Sequence, residues 1–194
     1  RPTRADWARI AIFGIPYAAV FLVGAVPISI MPESWNPTMI NVVLDSIFLV
    51  MVLTFFWREV RASFSFLHTS PFLKLALLPC LWLLNTIVQV ALRLSIYGLK
   101  PPVPDNQQAV LSALSDGAFG IIFSFFVAVG VPLVEEVFYR HILIGKLSAY
   151  APTWAVAPIS ALLFAAMHCH QWQDLIAYLP ISIVVTLVYV FSGK

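Results

Sequence analysis

Two adjacent carboxylates and an arginine stand together in the otherwise apolar stretch Val131-Pro132-Leu133-Val134-Glu135-Glu136-Val137-Phe138-Tyr139-Arg140-His141. On a helix, Glu136 and Arg140 share one face, where the planar guanidinium can grip the carboxylate bidentately. Glu135 is then offset from Glu136 by about 100°. A carboxylate that faces a largely apolar cavity, beside a neighbour neutralised by arginine, can take a proton from water as a general base. Pro132, just upstream, removes a helix hydrogen bond and can kink the helix next to the site. The same residues could instead form an interhelical polar clamp, or lie at an interface where Arg140 reaches toward the headgroups.

A second constellation follows in Leu163-Phe164-Ala165-Ala166-Met167-His168-Cys169-His170. Helical spacing puts His168 one turn after Phe164 on the same face, and the small Ala165 and Ala166 would let a neighbouring helix approach closely. A single histidine in such a run can serve simply as a helix-to-helix hydrogen-bonding group; an acidic pair on the preceding helix makes a shared polar site the expectation. His170, Gln171, Gln173 and Asp174 are expected to line the exit into water. Glu135, His168 and His170 could also be read as a carboxylate and two imidazoles around zinc, since catalytic zinc sites use three such ligands and an open position. Residues two apart on a helix point about 200° away from each other. The expected chemistry is therefore metal-independent, with no cofactor. Cys80 and Cys169 fall in apolar runs and read as small structural hydrophobes.

These residues must be positioned by elements that live in lipid. The chain is 61% hydrophobic and only 10% charged, with a mean hydropathy of +0.92, whereas soluble domains carry about 25% charged residues. Apolar stretches recur at about 8–31, 38–57, 71–98, 117–149, 153–172 and 174–191. Roughly 20 apolar residues cross a hydrocarbon core about 30 Å thick. Backbone amides there must be bonded within the segment, so the runs predict helices, and a barrel would show short alternating strands. The expected fold is an all-α polytopic membrane bundle of about six transmembrane helices, a single integral membrane domain over residues 1–194. The net charge of +2 is dispersed along the chain, which argues against nucleic acid as a partner. Arg1, Arg4, Arg9, Arg58, Arg61, Lys74 and Lys146 share one side if six spans alternate, and the positive-inside rule makes that side, with the N-terminus, cytoplasmic. The opposite loops hold Glu33, Asp105 and Asp116 with Lys100. Trp7, Trp35, Trp57, Trp154 and Trp172 lie near expected span ends, as headgroup-level rings do, and Trp82 is expected to pack between helices.

Glu135-Glu136-x-x-x-Arg140, followed one helix later by Phe164-x-x-x-His168, resembles the first two motifs of the CAAX-protease and bacteriocin-processing family. The likeness covers about 117–191, and the first three helices match only in character. It implies peptide-bond hydrolysis within the membrane, on a peptide or protein substrate that is membrane-anchored and in some members prenylated. Glu135 would activate water, Glu136 and Arg140 would form the supporting ion pair, and His168 would position water or the oxyanion, with Phe164 and His170 in lesser support. The family's later motif, a further His followed four residues on by Asn or a similar residue, is expected on a next helix, beyond Lys194. Cooperation requires Glu135 and His168 to share a depth. Helical rise from Gly117 puts Glu135 about 27 Å along its helix, so a break near Gly130-Val131-Pro132, or a long tilted helix, is expected. Two other readings stand beside this one: a non-catalytic member that sequesters a peptide, and a small transporter relaying protons through a Glu–His pair.

Overall fold

The structure is a computed structural model and describes residues 2–25, 31–32, 34–64, 71–100, 102–115 and 117–192. Arg1, Glu33, Pro101, Asp116, Gly193 and Lys194 lie outside the described residues. The described residues are helical wherever they are regular: α1 (Arg4–Leu22), α2 (Pro37–Phe55), α3 (Trp57–Ser63), α4 (Pro71–Tyr97), α5 (Asp105–Leu114), α6 (Gly117–Lys146), α7 (Thr153–Met167) and α8 (Leu175–Ser192). A 3₁₀ turn, Trp172–Asp174, leads into α8. Five helical stretches are long and apolar enough to cross a membrane: Arg4–Leu22, Pro37–Phe55, Leu75–Tyr97, Gly117–Lys146 and Trp172–Phe191. The chain is an integral membrane protein of all-α architecture.

The fifth expected span is shorter than its apolar run. α7 has 15 residues, about 22 Å of rise, because its last turn closes before His168 rather than running to Trp172. Two helices arise where sequence patterning shows only connections, α3 and α5. Of the two arrangements expected, a break near Gly130-Val131-Pro132 or one long helix, the structure has the second: α6 runs through for 30 residues, about 45 Å. It accommodates Pro132 by local rewinding, with i→i+5 stretches at Phe126–Gly130 and Glu136–Lys146 on either side of Val131–Glu135. Insertions of this kind are a recognised answer to a lost helix hydrogen bond and gather at functional sites.

Two compact units compose the chain. The first comprises Arg1–Trp57 and Ala109–Ala149. Here α1 starts on a capping box, in which Thr3 N–H donates to Asp6 and Asp6 N–H donates to Thr3 Oγ1. Arg9 pairs with Asp6 and donates from Nη1 to the Phe55 carbonyl at 2.8 Å, tying α1 to the end of α2. α2 starts at Asn36, whose side chain accepts from Met39 N–H at 2.9 Å. α2 packs on α1 and α6, and the core is aromatic. Tyr17 lies 4.4 Å from Phe138 and 5.5 Å from Phe48, ring centroid to centroid, and Phe13 lies 5.5 Å from Phe56.

The second unit comprises Arg58–Gln108 and Tyr150–Lys194, with α8 packed on both α7 and α4. Ala157, Ser160, Ala161 and Ala165 are all buried on α7, so side chains there are small enough for close helix approach. Ser182 on α8 is fully buried and donates to the Ala161 carbonyl at 2.7 Å. Ala165 takes the packing role expected of it, whereas Ala166 is exposed. Trp82 is 65% exposed on α4, a correction to its expected place between helices; in a spanning segment that ring meets lipid.

The turn from α5 into α6 tolerates no side chain at Gly120. A Cβ there would stand 2.5 Å from the Leu114 carbonyl oxygen and 2.9 Å from its carbon, and these are backbone atoms that no rotamer change removes. Gly120→Ala is expected to destabilise the protein by about 1–3 kcal/mol, seen as a lower thermal unfolding midpoint in detergent. An unchanged midpoint would show that the corner can shift freely.

Candidate active site

In the first unit, the winding of α6 sends its two neighbouring carboxylates into different surroundings. Glu135 ends the α-helical stretch Val131–Glu135 and is 7% exposed, whereas the Glu136 side chain is 45% exposed. Arg140 is 1% exposed, and its Nε stands 3.6 Å from Glu136 Oε2. That separation makes an ion pair but exceeds hydrogen-bond length. The guanidinium also lies 5.9 Å over the Tyr139 ring, within cation–π range. The expected pairing of Glu136 with Arg140 is thus present, with the cation buried and its partner half in the open.

The surroundings of Glu135 include groups that the motifs do not single out. Tyr17, Asp45, Tyr139 and Arg140 all feel the Glu135 charge. Asp45 is 7% exposed, Tyr17 2% and Tyr139 0%, and the two tyrosine hydroxyls share a hydrogen bond. One signal could have found Asp45: it is the sole ionisable residue of α2, and acids within apolar spans are rare and mark function. Nothing in the sequence distinguishes Tyr17 from an ordinary core aromatic.

In the second unit, His168 is the C-cap of α7, with φ −92° and ψ 0°, rather than a residue within the helix. Its Nδ1 lies 2.9 Å from the Phe164 carbonyl oxygen. Cys169 Sγ reaches the Ala165 carbonyl at 3.0 Å, which also accepts from His168 N–H at 3.1 Å, and Cys169 N–H donates to the Ala166 carbonyl, so side-chain and backbone donors together meet the carbonyls at the helix end. The imidazole packs against Phe164 at 4.8 Å and Tyr178 at 5.0 Å between ring centroids. His170 and Gln171 are exposed as expected. Asp174 is not: it is 7% exposed, and its Oδ2 accepts from His170 N–H at 3.0 Å and Gln171 N–H at 3.1 Å. It organises the loop instead of lining a watery exit, because its carboxylate serves the first amides of the turn that leads into α8.

His168 and His170 both stand in this loop, so their directions are not bound by helical geometry as the sequence pattern implies. Within each unit the described residues gather no group of three or more His, Cys, Asp or Glu side chains about one point. An apolar cavity of about 540 Å³ lies between α4 and α8, with Asn85, Val88, Leu179 and Ile183 among its walls. None of the expected site residues lines it.

Fold and site together define a polytopic helical membrane protein with a buried arginine and carboxylate cluster inside one span. The segment bearing that cluster and His168, residues 117–194, matches the model of the family described as type II CAAX prenyl endopeptidase Rce1-like. The likeness read from Glu135-Glu136-x-x-x-Arg140 and Phe164-x-x-x-His168 therefore holds over that segment as a whole. No curated protein and no solved structure matches the chain.

Cys169 offers a check on the loop. Burial, and then the Asp174 carboxylate, push its thiol up to about 11. At pH 8 only about one thiol in 10³ is ionised, and the thiolate is the nucleophile. In a Cys80→Ser background, alkylation of Cys169 is expected to be slow at pH 8 and to accelerate about tenfold per pH unit toward 11. Fast labelling at pH 8 would mean that the loop is not packed as described.

Proposed function

We propose that the chain is an intramembrane endopeptidase in which Glu135 is the general base. The observation that carries this reading is the burial of Glu135 and Arg140 within a spanning helix of the segment that matches the CAAX-type family. A cluster of ionisable side chains inside a span is costly, so its presence calls for a task. The Glu135 carboxylate takes a proton from water as the water oxygen bonds to the scissile carbonyl carbon. When the C–N bond breaks, that proton passes to the departing amine. Glu136 and Arg140 are the supporting pair: the half-exposed carboxylate holds the guanidinium and leaves Glu135 as the inward acid.

His168 is assigned to positioning water or the oxyanion, with Phe164 and His170 in support. A carbonyl oxygen only accepts, so the contact with Phe164 requires a proton on Nδ1. Nε2 then carries the lone pair in the neutral ring, suited to accept a proton from water, and becomes an oxyanion donor once protonated. The substrate is a membrane-anchored peptide or protein, and no metal or organic cofactor takes part. The N-terminus, with Arg4 and Arg9 in its first helix, lies on the cytoplasmic side under the positive-inside rule.

The test is single-turnover cleavage of membrane-anchored peptides, prenylated and unprenylated, by purified protein. Glu135→Gln is expected to abolish cleavage, a loss of at least about 10²–10⁴-fold for a general base, and a chelator is expected to leave the rate unchanged. Loss of cleavage with chelator would move the chemistry to a metal. Equal silence of wild type and Glu135→Gln, with a peptide still bound, would replace catalysis by sequestration.

A further inference from the structure

The mechanism assigns no role to Tyr178, a half-buried aromatic residue in the second turn of α8. Its ring stacks on His168 with centroids 5.0 Å apart and planes 27° from parallel. Phe164, one turn earlier on α7, contributes a second ring at 4.8 Å and 36°. The same Phe164 supplies the carbonyl that receives the Nδ1 proton. An imidazole beyond the end of a helix would otherwise rotate about two side-chain torsions, and its neutral form would choose its tautomer by whichever hydrogen bond it found.

We propose that Tyr178 is a positioning residue for His168: its stacked ring holds the imidazole where Nδ1 donates to the Phe164 carbonyl and Nε2 is presented for proton transfer. This rests on the proteolytic reading for its purpose but not for its geometry. Three features converge on the imidazole. The ring planes fix its tilt, the Phe164 carbonyl fixes its rotation, and the loop that carries it onward is pinned by Asp174 through the amides of His170 and Gln171. α8 thereby takes part in the site through a ring face rather than a reacting group. Contact through the face predicts that the phenol hydroxyl is dispensable for this role, while the ring is not.

The experiment combines kinetics with nitrogen NMR of histidine-labelled full-length chain in detergent, the His168 signals being assigned by their loss in His168→Gln. Tyr178→Phe keeps the ring. Tyr178→Leu and Tyr178→Met keep apolar bulk without it, and two ring-free variants guard against one that does not fold. The expected result is an Nδ1-protonated neutral imidazole in wild type and Tyr178→Phe, replaced by a mixture of tautomers in the ring-free variants. Their kcat is expected to fall by up to about 10²-fold, the cost of a misplaced group, with KM unchanged and Tyr178→Phe close to wild type. Persistence of the Nδ1–H tautomer in both ring-free variants overturns the proposal, as does a Tyr178→Phe loss equal to theirs. If wild type cleaves nothing, the proteolytic reading fails while the tautomer measurement still decides this one.

Discussion

The constraint on which the first unit depends is the presence of Arg140, 1% exposed, within a spanning helix. A buried guanidinium needs compensating charge and hydrogen bonding, because the desolvation cost of an isolated ion far exceeds what packing returns. Glu136, four residues back, answers that demand only partly, at 3.6 Å and through a half-exposed side chain. The remainder falls to the surroundings: the Glu135 charge, the face of Tyr139, and the aromatic core built by Tyr17, Phe138 and Phe48. Rewinding of α6 on both sides of Val131–Glu135 belongs to the same account. It absorbs Pro132 without breaking the helix, so the polar cluster need not be exposed to lipid at a kink.

The second unit solves a different problem, that of ending a helix between two apolar stretches. The last carbonyls of α7 need donors. His168 and Cys169 supply them, from their side chains to Phe164 and Ala165 and from their backbone N–H groups to Ala165 and Ala166. Asp174 then serves the amides at the start of the following turn. One consequence is that His168 is oriented by the same bond that satisfies the backbone. Small residues on α7, with the Ser182 bond to Ala161, let α8 come close enough for Tyr178 to reach the imidazole.

What could be read from the residues follows from which physical terms are local. Hydropathy over a window finds a span because lipid imposes a minimum length, so most of the helices are legible. It cannot find where α7 stops, since that depends on how His168 and Cys169 bond back to the last turn. The motif residues are legible because ionisable groups in apolar runs are costly wherever they fall. The same rule makes Asp45 legible, as the sole ionisable group of α2, although it belongs to neither motif. Tyr17 and Tyr178 are a different case: an aromatic residue in an apolar helix is ordinary core material until its neighbours are known. Asp174 misleads for the converse reason, since a charge near a span end is usually solvated, and only the loop's two amides explain its burial.

The family match and the polar surroundings of Glu135 do not coincide. The match begins at residue 117, yet Tyr17 comes from α1 and Asp45 from α2. Both are buried, and both interact with the Glu135 charge. The electrostatic surroundings of Glu135 therefore do not come from α6 alone. The matched segment holds the motif carboxylates, the arginine and the histidine, while the two N-terminal helices contribute a second acid and a hydroxyl to the surroundings of Glu135. Two chains could then share the motifs and still differ in the polar groups that their first two helices place beside the glutamate.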